Sequence, residues 1–246
     1  MAFMADIGAQ DVHNSDAFRR YGKWAVTLKP LLYQKARINR DFGSKTLKSK
    51  SLYSANIGLE YIFTPTNTFS LRTGLNVGFE PGYHISYYMA DMDIYPQYKG
   101  RHSTFYGYTI ESLSVPIMIE YKRRVGRNVF FNFSPGLRIM YYPPGGTVFS
   151  VTYHSKDRKN TRTVFDMSLL SPDVDFHYSV ALSSGLYFLF EKLLLKVNLV
   201  YNNKFRYQLR GRYRFANMFV TPPSGGSYEL SGDYIGLDLS FRLKKQ

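Results

Sequence analysis

Apolar and polar residues alternate with period two in eight separate segments, and this pattern restricts the fold more than any other feature of the sequence. In the segment 112–122, Leu113, Val115 and Ile117 share one face, while Ser112 and Ser114 lie on the other. Because the side chains of a β-strand point alternately to its two faces, this alternation is typical of a strand with one apolar face. The segments lie near residues 24–32, 55–63, 69–79, 112–122, 129–141, 175–190, 193–204 and 234–244. The sequence therefore predicts an all-β fold of eight strands.

The connections between these segments fall into two classes of length. Short turns at 64–67, 123–128 and 191–192 join neighbouring strands into hairpins, whereas the connections at 37–52, 80–107, 143–173 and 210–227 are long. Short turns at one end and long loops at the other are typical of an outer-membrane barrel, with the turns and both termini in the periplasm. We therefore expect an eight-stranded antiparallel up-and-down transmembrane β-barrel domain over residues 24–246.

The two faces of the segments also differ in bulk. Large Phe, Leu, Ile and Tyr side chains occupy the apolar face, and glycines recur on the polar face. Eight strands enclose a space that side chains only just fill, so small residues suit the interior and bulky ones suit a wall against hydrocarbon. A soluble barrel with an apolar interior is the alternative.

Pro30, Pro116 and Pro135 lack a ladder donor in mid-strand, so bulges are expected there, with Pro116 and Pro135 as near neighbours.

Charged residues on the polar face are expected to lie in a narrow lumen. Pairing Phe63 with Phe69 across the turn at 64–67 places Glu60 directly opposite Arg72, as a cross-strand ion pair. Buried charges are costly unless they are paired and hydrogen-bonded, so we expect a side-chain-filled lumen without an open pore. Ion conduction through a charged lumen is the alternative. The predicted ion-pair network comprises Glu60, Arg72, Glu120, Arg138, Lys196, Asp238 and Arg242.

The residues before the first predicted strand divide into two parts. Residues 1–10 are apolar and end in small residues, which indicates a residual export signal. Residues 11–23 are polar and mixed in charge, and we expect a periplasmic N-terminal tail there.

The chain is strongly basic, with 32 lysine and arginine residues against 18 aspartate and glutamate residues. In a soluble protein this excess would suggest nucleic acid, with loop tyrosines supplying stacking. On an outer-membrane barrel the same loops face the phosphates of lipopolysaccharide, which is the interpretation we prefer, and no nucleic-acid partner is expected. The residues assigned to lipopolysaccharide and outer-membrane lipid are Lys45, Lys48, Lys50, Lys156, Arg158 and Arg212.

The long connection at 80–107 carries too many large apolar groups to remain solvated without a cost in free energy. Either it folds over the barrel mouth as a lid, or it docks on another protein, where Tyr and Met are enriched. The candidate partner-binding residues are Tyr83, Tyr87, Tyr88, Tyr95 and Tyr98.

Enzymatic chemistry has one candidate. His177-Tyr-Ser179 resembles the His-x-Ser motif of lipid A deacylases, in which a histidine activates a serine hydroxyl. That motif continues with Asn-Ala-Gly, whereas this chain reads Val180-Ala-Leu182. A lipid A-modifying hydrolase that uses His177 and Ser179 is therefore kept as the alternative to a non-enzymatic protein.

The composition and the remaining motifs exclude other chemistry. The absence of cysteine excludes disulfides, thiolate metal sites and a cysteine nucleophile. No run of about 18 apolar residues is present, which excludes an ordinary transmembrane helix. The sequence has no phosphate loop, nucleotide fingerprint or HExxH motif, so we expect no cofactor and no metal site.

Three segments of the sequence resemble the PorT-like outer-membrane β-barrel proteins. They are Leu113-Ser-Val-Pro-Ile-Met-Ile-Glu-Tyr-Lys122 with the basic turn after it, Phe133-Ser-Pro-Gly-Leu-Arg138, and Gly236-Leu-Asp-Leu-Ser-Phe-Arg-Leu243. The resemblance spans most of residues 24–246 in layout. It implies a protein of the outer membrane of a Gram-negative bacterium, without enzymatic activity, and some members of the family serve type IX protein secretion. A protein partner in an envelope complex is therefore expected.

The end of the chain also resembles an assembly signal. Alternate apolar residues around Phe241 are similar to the pattern by which barrel-assembly machinery recognises its clients. The chain departs from that pattern because it ends Lys244-Lys-Gln246 rather than on an aromatic residue.

Overall fold

The computed structural model describes residues 17–63, 68–90, 93, 101–107, 109–154, 159 and 161–245. Within these ranges the chain is almost entirely β-structure. The strands are β1 (Trp24–Tyr33), β2 (Arg37–Phe42), β3 (Leu52–Ile62), β4 (Phe69–Pro81), β5 (His84–Met89), β6 (Arg101–Tyr106), β7 (Thr109–Arg124), β8 (Val129–Tyr141), β9 (Gly146–His154), β10 (Thr161–Leu170), β11 (Phe176–Leu189), β12 (Leu193–Lys204), β13 (Leu209–Phe215), β14 (Ser224–Leu230) and β15 (Tyr234–Leu243). No helix among the described residues is both long enough and apolar enough to cross a membrane.

Eight of these strands close into an antiparallel barrel, in the order β1-β15-β12-β11-β8-β7-β4-β3. The first and last strands of the chain complete the ring, with Val26 opposite Phe241 and Leu28 opposite Leu239. The connections at 125–128 and 190–192 and the two described ends of the chain lie at one end, which we call the turn end. The predicted eight-stranded barrel is confirmed.

The remaining strands form a second structure at the opposite end of the barrel. Strands β2, β14, β13, β10 and β9 make a five-stranded sheet in that order, and β5 pairs with β6 as a hairpin. We call these seven strands, together with the described connecting segments at the same end, the cap, and this end of the barrel the cap end. The cap has its own apolar core, which consists of Ala36, Leu47, Ile85, Tyr87, Met89, Val164, Phe165, Met167, Leu169, Leu209, Tyr213, Phe215, Tyr228 and Leu230. The long connections, expected as loops, are thus largely strands.

The local sequence explains why these connections form strands. In β13, Leu209, Tyr213 and Phe215 are buried, while Arg210 and Arg212 between them are exposed. This is the same period-two alternation as in the barrel, with arginine on the outer face. The basic residues of this connection therefore belong to the solvent face of a sheet.

The apolar faces of the barrel strands point outward. Leu199 is 66% exposed, whereas its neighbours Asn198 and Val200 point inward and are buried. Each barrel strand contributes an exposed large apolar side chain, for example Trp24, Ile57, Leu75, Ile119, Leu137, Leu182, Leu199 and Leu237. The barrel therefore has an apolar exterior and a polar interior, the reverse of a soluble barrel.

Aromatic pairs lie at both rims of this apolar exterior. The rings of Trp24 and Tyr61 are 4.9 Å apart at the turn end, and those of Tyr141 and Phe176 are 5.5 Å apart at the cap end. Rims of this kind are typical of barrels whose two ends meet membrane interfaces.

The bulges expected at Pro30, Pro116 and Pro135 are absent, because the strand register is the same on both sides of each proline. Backbone pairing is interrupted for two residues beside Pro30 in β1–β15, beside Pro116 in β4–β7 and beside Pro135 in β7–β8. A short gap in the ladder accommodates the missing N–H without an inserted residue. Pro116 lies opposite Arg138, so the expectation that it neighbours Pro135 is wrong.

The N-terminal residues at the turn end are packed into the barrel rather than forming a free tail. Phe18 is fully buried, with its ring 4.9 Å from Phe130 and 5.2 Å from Tyr187. The Tyr21 hydroxyl donates to the carbonyl of Phe190 at 2.6 Å. Residues 17–22 therefore close the turn end of the lumen, and we call them the N-terminal plug. The expected export signal at 1–10, and the tail up to residue 16, lie outside the described residues.

Candidate functional site

The lumen holds three layers of charged side chains, and the lower layer lies at the turn end. Glu120 accepts hydrogen bonds from the hydroxyls of Tyr187 at 2.7 Å and Ser70 at 3.0 Å. The ammonium of Lys122 lies 3.3 Å from the same carboxylate. Arg242 donates its Nε–H to the carbonyl of Gly22 at 2.7 Å. The lower layer therefore joins β7, β11 and β15 to the N-terminal plug.

The middle layer is a chain of ion pairs. Glu60 binds Lys29 at 2.6 Å and Arg72 at 3.2 Å. Asp238 lies 3.4 Å from Arg72 and 2.8 Å from Lys196. Arg72 is therefore shared by two carboxylates, and the chain of ion pairs links five barrel strands, β1, β3, β4, β12 and β15.

Glu60 and Arg72 interact diagonally rather than as direct cross-strand neighbours. Glu60 pairs with Gly74, and Arg72 pairs with Ile62, so the expected register is wrong by two residues. A shift of two keeps every side chain on its predicted face, because the strand period is two. Gly74 leaves room there, since a Cβ would meet the Leu59 carbonyl oxygen at 2.3 Å.

The upper layer lies at the cap end and is centred on Glu80. This carboxylate accepts from Tyr33 at 2.9 Å and from Lys204 at 3.1 Å, and Arg138 lies at 3.4 Å. Arg138 also donates to the Tyr234 hydroxyl at 3.0 Å. The network expected from the sequence included Arg138 but neither Glu80 nor Lys204. The continued alternation beyond Gly78 was the signal that places Glu80 on the inner face.

The charges of the lumen do not balance. The inward-facing cations of the barrel strands outnumber the carboxylates by seven to four, and each layer has one cation in excess. They are Lys29, Arg72, Lys122, Arg138, Lys196, Lys204 and Arg242 against Glu60, Glu80, Glu120 and Asp238. A cavity of about 30 Å³ beside Arg72, Arg138 and Asp238 is the size of one or two water molecules. Side chains therefore fill this part of the lumen.

His177 and Ser179 both point into the lumen, but each is engaged with other groups. The ring of His177 stacks on Tyr142 with centroids 3.8 Å apart. The Ser179 hydroxyl donates to Asn202 at 2.8 Å. The Ser179 hydroxyl is therefore bonded to Asn202 and not to His177, so the histidine–serine contact that would activate the hydroxyl is not formed. The geometry does not provide a nucleophile activated by a base.

The tyrosines proposed for partner binding have different environments. Tyr87 is 3% exposed within the cap core, where its ring is 4.6 Å from that of Phe165, so its assignment to a partner surface is corrected. Tyr83 stacks on Phe149 at 5.3 Å, and Tyr88 is half exposed. Tyr95 and Tyr98 lie outside the described residues. The β5–β6 hairpin is thus an integral part of the cap.

The basic residues assigned to lipopolysaccharide are also separated by the fold. Lys45 is turned inward and pairs with Asp93 at 2.6 Å, so its side chain is not free to face lipid. Lys48 and Lys50 are exposed. Arg212 is exposed and pairs with Asp41 at 3.1 Å. Lys156 and Arg158 lie outside the described residues.

Burial and hydrogen bonding shift the pKa values of several groups in the cap, among them Asp93 and Tyr228. Burial opposes ionisation of Asp93, but the Lys45 ammonium and hydrogen bonds from Thr221 outweigh it and hold the pKa of this carboxyl below its ordinary value. Burial raises the pKa of Tyr228 to about 12. Asp93 therefore stays ionised and Tyr228 neutral at pH 7.

Among the described residues, no three His, Cys, Asp or Glu side chains are grouped so that they could hold a metal ion.

No known family profile matches the sequence, and no curated protein matches it. The structure is similar to that of the outer membrane protein OprG from Pseudomonas aeruginosa, with a TM-score of 0.43 and 10% identity over 91% of this chain and 95% of that chain. For the N-terminal β-barrel domain of Pseudomonas aeruginosa OprF, the TM-score is 0.32 and the identity 12%, over 92% of this chain and 99% of that one. For the CymD monoaromatic hydrocarbon channel, the TM-score is 0.30 and the identity 8%, over 97% of this chain and 92% of that chain. These likenesses concern the fold alone.

Proposed function

We propose that this chain is a non-enzymatic outer-membrane β-barrel of a Gram-negative bacterium that holds the cap at the cell surface. The apolar exterior of the barrel supports this proposal, because an exposed belt of such residues is stable in hydrocarbon and not in water. The charged interior supports it as well, since charges of this kind are sheltered from lipid only inside a closed barrel. The turn end then faces the periplasm, and the cap faces the exterior.

The observation that carries the functional part of this proposal is the combination of a filled lumen with a folded cap. Three layers of paired side chains and the N-terminal plug leave little space for a solute to pass. The cap, by contrast, is a separately folded surface with its own core. We infer that the protein acts through the cap, as an accessory or structural component of an envelope complex.

The resemblance of β7, β8 and β15 to PorT-like proteins supports protein secretion, of the type IX class, as the process that this complex serves. The exposed Lys48 and Lys50 of the cap support contact with lipopolysaccharide phosphates in the same setting. Recognition by barrel-assembly machinery through the pattern around Phe241 belongs to the same proposal. No contact of His177 or Ser179 favours the hydrolase.

Two experiments test this function. Purified protein in planar bilayers should show no stable conductance, and open-channel steps would contradict the filled lumen. Affinity purification from native membranes should then recover an envelope partner with the wild-type chain and lose it when the cap sheet is disrupted by Gly211→Val. The control Gly145→Ala, where no atom lies within 4 Å of an added Cβ, should retain the partner. Equal recovery from both variants would contradict a role for the cap.

A further inference from the structure

Arg242 is the most poorly satisfied charged group in the lower layer. Arg242 is 1% exposed, and the one hydrogen bond that it makes to the described part of the chain runs from Nε to the carbonyl of Gly22. Both terminal nitrogens, Nη1 and Nη2, are buried without a hydrogen-bond partner among the described residues. A guanidinium remains charged at any physiological pH, so this group cannot become neutral to reduce the cost of burial. It therefore presents two unused donors at the turn end of the lumen.

Lys122 adds a second buried cation to the same layer. Its ammonium makes an ion pair with Glu120 at 3.3 Å, which leaves the rest of the ammonium group free to bind another acceptor. The same ammonium lies 4.6 Å from the centre of the Phe18 ring. The face of an aromatic ring attracts a cation but stabilises it less than an anion does. Phe18 of the N-terminal plug therefore covers the position where an anion would contact Lys122.

The one carboxylate of this layer is already occupied. Glu120 accepts from Tyr187, Ser70 and, at 3.5 Å, Ser134. It therefore has little capacity left for Arg242. The two terminal nitrogens of a guanidinium match the two oxygens of a carboxylate or of a phosphate group.

We propose that the lower layer is a binding site for one small oxyanion, held between the terminal nitrogens of Arg242 and the ammonium of Lys122. The N-terminal plug is the lid of this site, and Gly22 fixes the guanidinium by accepting from Nε. Phe18 competes with the anion for the space beside Lys122. The ligand class is a free phosphate or carboxylate that enters from the turn end when the plug shifts.

The experiment uses the full chain in detergent. Crystals grown with sodium selenate should show anomalous scattering within hydrogen-bond distance of Arg242 and Lys122. Sodium phosphate should raise the unfolding temperature more than sodium chloride of equal ionic strength. Phe18→Ala removes the competing ring, so it should enlarge the phosphate-dependent rise, although it lowers the starting temperature. A merely structural role for these cations predicts no such enlargement.

Arg242→Gln should abolish the phosphate-dependent rise, and Arg127→Gln, which removes an exposed cation from a turn at the same end, should leave it unchanged. Where Arg242→Gln fails to fold, the selenate peak in the wild type and in Phe18→Ala decides the question. Absence of that peak in both proteins, with equal unfolding temperatures in phosphate and chloride, would overturn the proposal. The proposal would also be overturned if a carboxylate from the first 16 residues, rather than selenate, occupied the site, because the site would then be an internal ion pair.

Discussion

Glu80 and Lys204 form an ion pair of 3.1 Å across the full width of the barrel. Their strands, β4 and β12, are separated by four steps around the ring in either direction, so the two side chains meet over the lumen. Tyr33 and Arg138 complete the same cluster. This cluster closes the lumen directly beneath the cap.

Removal of the Glu80 charge should destabilise the barrel strongly. Glu80→Gln keeps the shape of the side chain but leaves Lys204 and Arg138 buried without a carboxylate, and breaking a buried pair in this way costs about 3–5 kcal/mol. The barrel in detergent should therefore unfold, and change its mobility on a gel, at a clearly lower temperature. Glu111→Gln, at an exposed position of β7, is the matched control and should behave as wild type. An unchanged transition in Glu80→Gln would contradict the assigned role of the cluster.

Acid should loosen one part of the cap through Asp93. The pKa of the Asp93 carboxyl is lower in the folded protein than in the unfolded chain, where it is about 3.9. The ionised carboxyl therefore stabilises the fold fully above about pH 4, and this stabilisation is lost as the pH falls through the lower pKa of the folded protein. The amide of Thr221 donates to Asp93 at 2.9 Å and reports on this contact. Hydrogen exchange at Thr221, corrected for its intrinsic pH dependence, should accelerate below about pH 4. The variant Asp93→Asn should exchange faster at pH 7 and show no such transition, and parallel pH profiles for the two proteins would count against the pair.

The cap should be separable from the barrel by one substitution. A Cβ on Gly211 would lie 1.7 Å from the carbonyl oxygen of Ser168, so Gly211→Val must push β13 away from β10. Limited proteolysis should then cut the cap strands while the barrel keeps its compact mobility on unheated gels. In the control Gly145→Ala, the cap strands should remain protected from proteolysis. Loss of the compact barrel in Gly211→Val would show that cap and barrel fold as one unit.

The barrel was predictable because its signal is local. Alternation along each strand and the short turns between strands are properties of neighbouring residues, and they place Leu199 outside and Lys196 inside without any knowledge of the partner strand. The sheet of the cap was not predicted, because its strands lie within long, aromatic and basic connections; a lid over the barrel mouth was expected only as one alternative for the connection at 80–107. The sequence pattern predicts a long connection at 210–227, although its exposed Arg210 and Arg212 alternate with Gly211 and the buried Tyr213.

The partners within the lumen could not be predicted from the sequence. The pair Glu80–Lys204 joins strands that are distant in sequence and opposite in the ring, so nothing local specifies it. Glu60 and Arg72 were predicted to interact and do so at 3.2 Å, but through a register two residues away from the expected one. The turn length that sets this register is not determined by the hydrophobic pattern alone.

The orientation of the apolar face is tested most directly by the fluorescence of a single tryptophan. Trp24 is the only tryptophan of the chain, so Trp24→Phe gives a silent background for Leu199→Trp in the outer belt and Val148→Trp in the cap. In vesicles with bromine on the lipid acyl chains, the tryptophan at 199 should be strongly quenched and that at 148 should not. Equal and weak quenching at both positions, in a protein that stays monodisperse without detergent, would contradict a barrel with its apolar face in lipid.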